Sequence, residues 1–348
     1  MTALADRAAI AERAIRDRHL RRVWGLPGTV LGRSGWPPSA GQRVHWHWNY
    51  WWQAHLLDTL VDAQLRDPSP DRLKLIDRFV VSVRLRNFGK WINDYYDDIA
   101  WLGLALQRVG HLGLDVRGGL EAISSRLREG WTDDAGGGIW WRAGDDFKNA
   151  PANGPAAIFH AREGATQHAR GLTGWMTERL VDPDSGLVWD GLRVGSGELV
   201  KHIFTYCQGV YLGACLELSE LDRVGRTIEA VAEHVAPNGV IRGQEGGDGG
   251  LFGGILARYL ALAAPLLPSG MARDLVLRSA EACWSGAVET PHGPLFSADW
   301  ATPAPSLPLA SDAPERDLSV QVSAWMLLEA AATLDPRVQS AECDGKPR

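Results

Sequence analysis

Two kinds of helical segment alternate along the chain, and this alternation constrains the fold more than any other feature. One kind is rich in Ala, Gly and Leu around most of its circumference, as in Ile99–Leu106, Val210–Leu218 and Leu251–Ala264. The other kind carries a charged face, as in residues 71–78. A helix that is apolar all round is buried, whereas a helix with a charged face lies at the surface. The alternation therefore predicts an inner ring of helices enclosed by an outer ring.

Twelve helices are predicted from the helical periodicity and from the Gly, Pro, Asp and Asn residues that bound it. Their expected spans are 3–22, 50–66, 70–88, 97–110, 116–129, 153–165, 166–181, 201–220, 222–235, 250–264, 269–286 and 315–334. The apolar members begin near residues 50, 97, 153, 201, 250 and 315, at a roughly even spacing. We therefore predict an all-α (α/α)6 barrel with six inner and six outer helices. It forms a single domain over residues 1–348, with a flexible tail from about residue 337.

The 36 basic and 42 acidic residues are interspersed and give the chain a net charge of −6. A nucleic-acid partner needs a basic stripe that neutralises phosphates, so none is expected. The first 22 residues are highly charged and lack the apolar run of a signal peptide. No later segment is expected to be apolar for long enough to cross a bilayer. The sequence predicts a soluble, cytoplasmic monomer.

Cysteine and histidine spacing carries no strong metal signature. The four cysteines form no CxxC pair, which is typical of buried or incidental thiols. His45 and His47 are two residues apart, and His55 lies eight residues beyond His47. There is no matching cysteine and no histidine pair at i, i+4 spacing, so we expect no metal site and no cofactor.

Aromatic and hydrogen-bonding residues gather near the starts of the inner helices. All inner helices of such a barrel run in the same direction, so their N-termini share one face. The chain has 16 tryptophans but only seven phenylalanines and six tyrosines, and tryptophan offers a flat surface on which sugar rings stack. The sequence therefore predicts a polar cleft lined by aromatic residues at this face.

Asp97 and Asp98 open the second predicted inner helix, directly behind Tyr95 and Tyr96. The chain has two further aspartate doublets, at 133–134 and 145–146, and both lie beside glycines that indicate loops. A helix-capping role for the first doublet stays open, because aspartate is favoured at helix N-termini. Two carboxylates held close together beside aromatic rings titrate apart, and this asymmetry is what glycoside hydrolysis needs. Adjacent residues can reach the separation of about 5–5.5 Å that favours retention of configuration.

The chain resembles glycoside hydrolase family 76, the endo-α-1,6-mannanases, over nearly its whole length. Five blocks carry the resemblance through their order and spacing: 95–101, 136–141, 148–150, 205–210 and 247–252. The resemblance implies an (α/α)6 barrel, in agreement with the helical pattern. It also implies a metal-free retaining mechanism with Asp97 as nucleophile and Asp98 as general acid/base. The implied substrate is an α-1,6-linked mannan or manno-oligosaccharide.

Further site residues are expected at the same rim. Tyr95 or Tyr96 would hold the second oxygen of the nucleophile. The other candidate substrate-binding residues are Trp48, Trp140, Trp141, Lys148, Asn149, Tyr206, Gln208 and Asp248. For the tryptophans a core-packing role stays open, and for Asn149 and Gln208 a capping or interhelical hydrogen bond does.

The chain departs from the family pattern at several positions. Phe147 stands where a tyrosine is usual, which removes a hydroxyl, and Cys207 stands where an asparagine is usual, which removes an amide from the rim. Leu102 replaces a common second tryptophan, and Gly154-Pro155 follows Asn153. These changes leave the aspartate pair intact and affect the expected substrate contacts.

Three alternatives belong to other functional classes. An isoprenoid-type cyclase would need a DDxxD-like spacing for Mg²⁺, but Asp98 is followed by Ile99-Ala100-Trp101-Leu102. A non-catalytic glycan-binding protein on the same barrel would be marked by loss of one acid; both are present, but the departures at Phe147 and Cys207 keep this alternative open. A sugar epimerase on a related barrel would use a pair of rim histidines.

Overall fold

The computed structural model describes residues 3–335, so the flexible tail predicted from about residue 337 lies outside the described residues. Thirteen α-helices and seven short strands form within this range. The helices are α1 (Leu4–His19), α2 (Ala40–Arg43), α3 (Tyr50–Arg66), α4 (Pro70–Arg86), α5 (Tyr96–His111), α6 (Arg117–Glu129), α7 (Ala150–Arg162), α8 (Thr166–Arg179), α9 (Thr205–Glu217), α10 (Leu221–Ala230), α11 (Phe252–Ala263), α12 (Met271–Ser285) and α13 (Leu318–Thr333).

Six helices form a closed inner ring. In order around the ring these are α3, α5, α7, α9, α11 and α13, and α13 packs back on α3. Each of the outer helices α4, α6, α8, α10 and α12 packs on the inner helix that precedes it, and α1 packs on α13 and α3. The predicted (α/α)6 barrel is confirmed, and so is the assignment of each long helix to its ring.

Glycines bring neighbouring inner helices close together. A Cβ added at Gly209 of α9 would lie 2.9 Å from Cα of Leu256 in α11. A Cβ added at Gly254 of α11 would lie 2.8 Å from Cα of Ser323 in α13. Both distances are shorter than van der Waals contact, so these backbones can approach only because the side chain is missing. This explains why the buried helices are rich in glycine and alanine.

The predicted helix boundaries differ from the observed ones by up to five residues, and two of the N-terminal differences have a clear physical reason. The helix predicted from residue 153 begins at Ala150, because the Asn149 side chain caps it by accepting a hydrogen bond from the amide of Ala152. The helix predicted from residue 201 begins at Thr205, because a strand ends at Val200 and residues 201–204 have no regular secondary structure. The sequence analysis also missed α2, which begins with a capping box between Ser39 and Gln42.

The strands are two or three residues long and build hairpins beside the barrel ends. They are β1 (Leu20–Arg21), β2 (Leu31–Gly32), β3 (Phe147–Asn149), β4 (Gly191–Arg193), β5 (Glu198–Val200), β6 (Val288–Thr290) and β7 (Gly293–Leu295). β1 pairs with β2, β6 pairs with β7, and β3, β4 and β5 form an antiparallel sheet in that order. The three-stranded sheet leads directly into α7 and lies just before α9, so it fixes two of the inner helix starts.

One stretch of the described chain, Gly247–Leu266, is long and apolar enough to span a membrane by length and composition alone, with a mean hydropathy of 1.4. By length and composition alone, the prediction that no segment is apolar for long enough to cross a bilayer is therefore wrong. Sixty-one per cent of the stretch is buried inside the protein, where it forms α11 and the turns at its two ends. An inner barrel helix is apolar because it is packed on most sides by other helices.

Candidate active site

The Asp97–Asp98 pair lies in the first turn of α5, at the end of the barrel where the inner helices begin. The segment before the helix is fixed by Asn93, whose Oδ1 accepts a hydrogen bond from the amide of Tyr95 at 2.9 Å. The amide of Tyr96 then donates to the carbonyl of Trp141 at 2.8 Å. The loop that carries Trp141 is therefore tied to the start of α5, which places its indole beside the pair.

Each carboxylate has its own set of hydrogen bonds. Asp97 accepts one from the Trp141 indole Nε1 at 3.0 Å and one from the amide of Asp98 at 2.9 Å. Asp98 accepts one from Nδ2 of Asn93 at 2.6 Å. The two carboxyl groups thus face different partners although they are adjacent in sequence, and Asp97 has the larger number of donors.

Burial controls the protonation of the pair. Burial, and after it the charge of Asp98, raises the pKa of Asp97 well above its ordinary value. Burial raises the pKa of Asp98 to about 7; the Asn93 hydrogen bond opposes this rise and the charge of Asp248 adds to it. Two such neighbours titrate as a unit, and the pair retains a proton near neutral pH. Two hydrogen bonds favour the carboxylate form of Asp97, and one favours that of Asp98.

Aromatic rings from four inner helices cluster at the end of the barrel where these helices begin. Tyr206 and Phe252 stack with ring centroids 3.7 Å apart and an interplanar angle of 5°. Trp51 lies 6.2 Å from Phe252, 6.5 Å from Tyr206 and 6.5 Å from Trp101. These rings come from α3, α5, α9 and α11, so the N-terminal ends of inner helices that are far apart in sequence meet here. Flat rings in a polar cleft are suited to stacking on sugar rings.

Further carboxylates surround the pair. Asp248 accepts hydrogen bonds on Oδ1 from the indoles of Trp51 and Trp52, at 2.9 and 2.8 Å. Burial raises the pKa of Asp190 to about 6, and its charge, like those of Asp97 and Asp248, acts on Tyr206. A cleft lined by acids stabilises positive charge, which is what develops on the sugar in an oxocarbenium-like transition state.

Asp317, just before α13, lies at the same end of the barrel. Its Oδ2 accepts a hydrogen bond from the amide of Gly247 at 2.7 Å, and this contact fixes the turn that presents Asp248. Within residues 3–335, no group of three or more His, Cys, Asp or Glu side chains is arranged to hold a metal ion. Metal-free chemistry stays a prediction.

Several candidate residues lie near the pair. Trp141 contacts Asp97 directly, and the ring of Tyr95 packs edge-on against Trp141 at 5.2 Å. Tyr206 lies within the aromatic cluster, and Asp248 stands on its edge. These four and the aspartate pair are the candidates that the structure brings together. Whether they bind a sugar stays a prediction.

Trp48 and Trp140 are partly buried and pack on other residues. Trp48 packs edge-on against Tyr50 at 5.5 Å and under the guanidinium of Arg86 at 5.1 Å. The ring of Trp140 lies 4.6 Å from Nζ of Lys148. In this structure both tryptophans support the rim through packing.

Two charged or polar candidates have their hydrogen bonds fully used inside the protein. The Nζ of Lys148 donates to the carbonyls of Thr132, Asp134 and Gly137 at 2.7–3.0 Å and to the hydroxyl of Thr132 at 2.9 Å. Gln208 is completely buried and exchanges hydrogen bonds with the backbone of Val188. In this structure both side chains bind groups of the protein itself, and a substrate contact by Lys148 or Gln208 stays a prediction.

Asn149 and Tyr96 likewise have structural roles. The Asn149 side chain caps α7 and is 4% exposed. The Tyr96 ring points behind α5, where a Cβ added at Gly130 would lie 2.7 Å from it and the guanidinium of Arg126 covers it at 5.0 Å. The expected sugar contacts of Asn149 and Tyr96 stay predictions, and Tyr95 is the tyrosine whose ring packs against Trp141.

The two main departures from the family pattern are buried. The Phe147 ring packs edge-on against Trp141 at 6.4 Å and under the guanidinium of Arg193 at 4.5 Å. It also fills the space where Gly191 has no side chain. Cys207 is completely buried in the barrel wall near Asp190, so the expectation that it alters the rim directly is wrong. Through its edge-on contact, Phe147 supports the ring of Trp141.

Sequence reasoning missed some residues that lie in the site. Asn93 precedes the recognised block, yet it holds Asp98; its spacing of two before Tyr95 is typical of a turn whose side chain binds the backbone. Trp51 and Trp52 resembled ordinary core residues of α3. Asp190 follows a loop and carries no local signal, because only the tertiary fold brings it to Tyr206.

The chain is similar to known proteins over nearly its whole length. The sequence model of glycosyl hydrolase family 76 matches residues 12–340. The α-1,6-mannanase GH76A from Salegentibacter sp. HEL1_6 is 31% identical, with 95% of this chain and 100% of that chain covered and a TM-score of 0.84. An inactive variant of the same enzyme, with alanine at two consecutive aspartate positions, has been solved in complex with α-1,6-mannotetrose; it is 30% identical over 96% of this chain and 100% of that chain, with a TM-score of 0.85.

A third structure is similar over almost the same length. The Lin0763 protein from Listeria innocua is 27% identical, with 97% of this chain and 99% of that chain covered and a TM-score of 0.85. The search of curated proteins gave no match. The family match over nearly the whole chain, the barrel and the acid-lined cleft agree, and the chain belongs to glycosyl hydrolase family 76 and is a glycoside hydrolase.

Proposed function

We propose that the protein hydrolyses α-1,6-linked mannosides, in mannan or in a mannan-cored glycan, with retention of configuration. The observation that carries the proposal is the environment of the aspartate pair. Burial raises the pKa of both acids, but Asp97 accepts two hydrogen bonds that favour its carboxylate, from Trp141 and from the Asp98 amide, whereas Asp98 accepts one from Asn93. One acid is thus prepared to act as a carboxylate and the other to donate a proton.

In the first step Asp97 attacks the anomeric carbon while Asp98 gives its proton to the departing glycosidic oxygen. The C–O bond of the leaving group breaks and a glycosyl ester forms on Asp97. In the second step ionised Asp98 takes a proton from water, and the resulting oxygen nucleophile displaces Asp97. The Trp141 indole holds the carboxylate of Asp97 in place, and Asn93 orients Asp98.

The mannoside substrate is supported by the similar structures. The Salegentibacter enzyme is an α-1,6-mannanase, and its variant without two consecutive aspartates is inactive and binds α-1,6-mannotetrose. This chain carries a consecutive pair in a cleft with stacked aromatic rings. A binding-only role is not favoured, because both acids and their hydrogen-bond partners are present. The monomeric state and cytoplasmic location expected from the sequence stay predictions.

The first test is product release from linear α-1,6-mannan by the intact protein, by Asp97→Asn and by Asp146→Asn. Asp146 belongs to another aspartate doublet and is exposed in a loop, so it is a matched control. We expect manno-oligosaccharides from the intact protein and the control, and none from Asp97→Asn. Proton NMR of the first product formed would show the α-anomer for retention. An initial β-anomer would contradict the double displacement, and equal activity of Asp97→Asn would remove Asp97 from the mechanism.

A further inference from the structure

A second concave site lies away from the aspartate pair, between the β1–β2 hairpin and α2. We call it the arginine pocket; it has a volume of about 580 Å³ and opens to solvent. Its lining residues are Arg21, Arg22, Trp24, Gly25, Arg33, Arg43 and Val44. A volume of this size is typical of small-molecule sites, so the pocket is large enough for a sugar-sized ligand.

The charges of the arginine pocket are not balanced by acids. Four of its lining residues are arginines and none is an aspartate or a glutamate. Arg21 directs its guanidinium to the backbone carbonyls of Asp17 and Leu20, and the Nε of Arg33 is buried without a hydrogen-bond partner. Burial, and after it the charges of Arg21 and Arg43, lowers the pKa of Arg33. The guanidinium groups of Arg21, Arg33 and Arg43 therefore lie close enough to repel one another, and a bound anion would relieve this repulsion.

Trp24 forms an aromatic edge of the arginine pocket. Its side chain is 47% exposed. Its backbone has φ of +50°, a left-handed conformation that is energetically costly for a bulky residue. The guanidinium of Arg86 lies 5.8 Å from the Trp24 ring and donates to the carbonyl of His45 at 2.7 Å. The indole is thus held outward, beside the arginines, with a face available for stacking on a sugar.

The arginine pocket adjoins the end of the barrel that carries the cleft. The residues that follow Arg33 run along this end: Ser34 donates to the carbonyl of His47 at 2.8 Å, and Gly35 forms a β-bridge with Asp317. Asp317 in turn fixes the turn that presents Asp248 at the cleft. One extended segment therefore connects the two sites.

We propose that the arginine pocket binds a phosphate ester carried by an oligosaccharide, with the arginines on the phosphoryl oxygens and Trp24 against the sugar ring. A phosphate ester offers several strong acceptor oxygens, and guanidinium groups bind them in a bidentate manner. A carboxylate would leave several of the guanidinium groups without a partner. A nucleic acid or an anionic membrane needs an extended basic surface, whereas these arginines are confined to one pocket of a chain with net charge −6. The proposal does not depend on linkage specificity or on retention in the cleft.

The test is isothermal titration calorimetry on the full chain at low salt with mannose 6-phosphate, inorganic phosphate and mannose. The proteins compared are the wild type, the Arg33→Gln/Arg43→Gln double variant, and Arg170→Gln/Arg226→Gln. The last pair consists of exposed arginines on α8 and α10 and produces the same change in net charge. We expect the sugar phosphate to bind more tightly than inorganic phosphate. We also expect the pocket variant to weaken its binding by about tenfold or more and the control to leave it within about twofold, because only the pocket arginines contact the anion.

Three calorimetric results would overturn the proposal, and so would one result with lipid vesicles. They are no heat of binding with mannose 6-phosphate, binding that survives in the pocket variant, and equal affinity for inorganic phosphate and the sugar phosphate. Association with anionic phospholipid vesicles in place of the sugar phosphate would do so too. The side chains of Arg33 and Arg43 cap no helix, so the pocket variant should fold, which circular dichroism would check. Its activity on α-1,6-mannan should equal that of the wild type, so failure here is separate from failure of the proposed hydrolysis.

Discussion

Two pairs of aspartates lie inside the same barrel and have opposite electrostatic surroundings. Asp97 and Asp98 stand at the start of α5 beside an indole, an amide and further acids, and burial raises the pKa of both. Asp58 and Asp62 lie two to three turns inside α3, where Arg258 approaches them at 3.2 and 2.6 Å. Arg108 also contacts both.

The difference between the two pairs follows from Arg108 and Arg258, which lie beside Asp58 and Asp62. Burial opposes ionisation of Asp58, but the charges of Arg108 and Arg258 lower its pKa to about 2. The Asp97–Asp98 pair has no guanidinium among its hydrogen-bond partners in the described residues, so burial and mutual repulsion prevail. A buried acid that is paired with arginine supports the fold, and a buried acid without a cation can exchange a proton. The residue type is the same in both pairs, so the environment decides whether an aspartate supports the fold or exchanges a proton.

The two pairs also make opposite contributions to stability as pH changes. The folded-state pKa of Asp98 is above its unfolded value, so the folded state binds the additional proton and the contribution of Asp98 to stability falls as pH rises from about 4 to about 7. The folded-state pKa of Asp58 is below its unfolded value. Its contribution is present above about pH 4 and is lost as pH falls towards 2.

The largest expected effect is the loss of activity in Asp98→Asn, which would distinguish the Asp97–Asp98 pair from the Asp58–Asp62 pair. Asp98→Asn removes the proton donor, so kcat on α-1,6-mannan should fall by about a hundredfold to ten-thousandfold. Because the substitution also removes a repelling charge, the melting temperature should stay equal or rise. Steady-state kinetics and thermal unfolding of the same preparation check both. A variant that loses stability in proportion to activity would mean that Asp98 is structural.

Asp62→Asn should have the reverse effect: the protein should lose stability and keep its activity. It leaves two buried guanidinium groups with less compensating charge, so the free energy of unfolding should fall by about 3–5 kcal/mol. The folded fraction should keep its kcat, because Asp62 lies deep in the barrel. Urea unfolding followed by tryptophan fluorescence measures the first quantity, and kinetics at a temperature well below the transition measure the second. A large drop in kcat with unchanged stability would remove the distinction between the two pairs.

Trp141→Phe tests how Asp97 is held. The substitution keeps an aromatic ring but removes the indole donor, so the carboxylate loses one of its two hydrogen bonds. A hydrogen bond to a charged group contributes about 1.5–3 kcal/mol, so kcat should fall by about 10- to 100-fold. Trp140→Phe is the matched control, since its ring packs on Lys148 and makes no contact with the pair. Equal losses in both variants would show that ring size, and not the N–H group, is what matters.

Asn93→Ala tests the protonation of Asp98. Proton donation needs Asp98 to be protonated, so activity should decline as pH rises through about 7. The Asn93 hydrogen bond lowers the pKa of Asp98, and its removal should therefore move this alkaline limb to higher pH. The pH profile of kcat/KM on mannan measures this shift, which is the smallest of the expected effects. A limb that moves to lower pH would contradict the assignment.

The ring architecture could be predicted because it depends on patterns that repeat along the chain. The alternation of apolar and charged helices predicted the two rings, and the inner helix starts at residues 50 and 97 agree with Tyr50 and Tyr96. The starts near 201 and 250 were early by two to four residues, because the turns and the strand β5 before them have no helical signal of their own.

The site was predicted only in part. The position of Asp97–Asp98 at a helix start depends on local sequence, whereas the roles of Lys148 and Gln208 depend on which carbonyls the fold brings to them. A polar residue in a matched block can hold a loop or bind a ligand, and the sequence alone does not distinguish these. Asp190 and Trp51 join the cleft through contacts between helices distant in sequence, which no local spacing reveals.

The closure of the inner ring has a consequence for how the protein is made. Arg66 at the end of α3 binds Glu329 of α13 at 2.8 Å and Glu12 of α1 at 3.4 Å, although it lies 263 residues before the first and 54 after the second. A ribosome needs on the order of 10–50 s to add that many residues. Throughout this interval the faces of α1 and α3 that α13 covers remain open to water. Nascent chains that stall before the last inner helix therefore expose apolar surface, and chaperones would be expected to engage them at this stage.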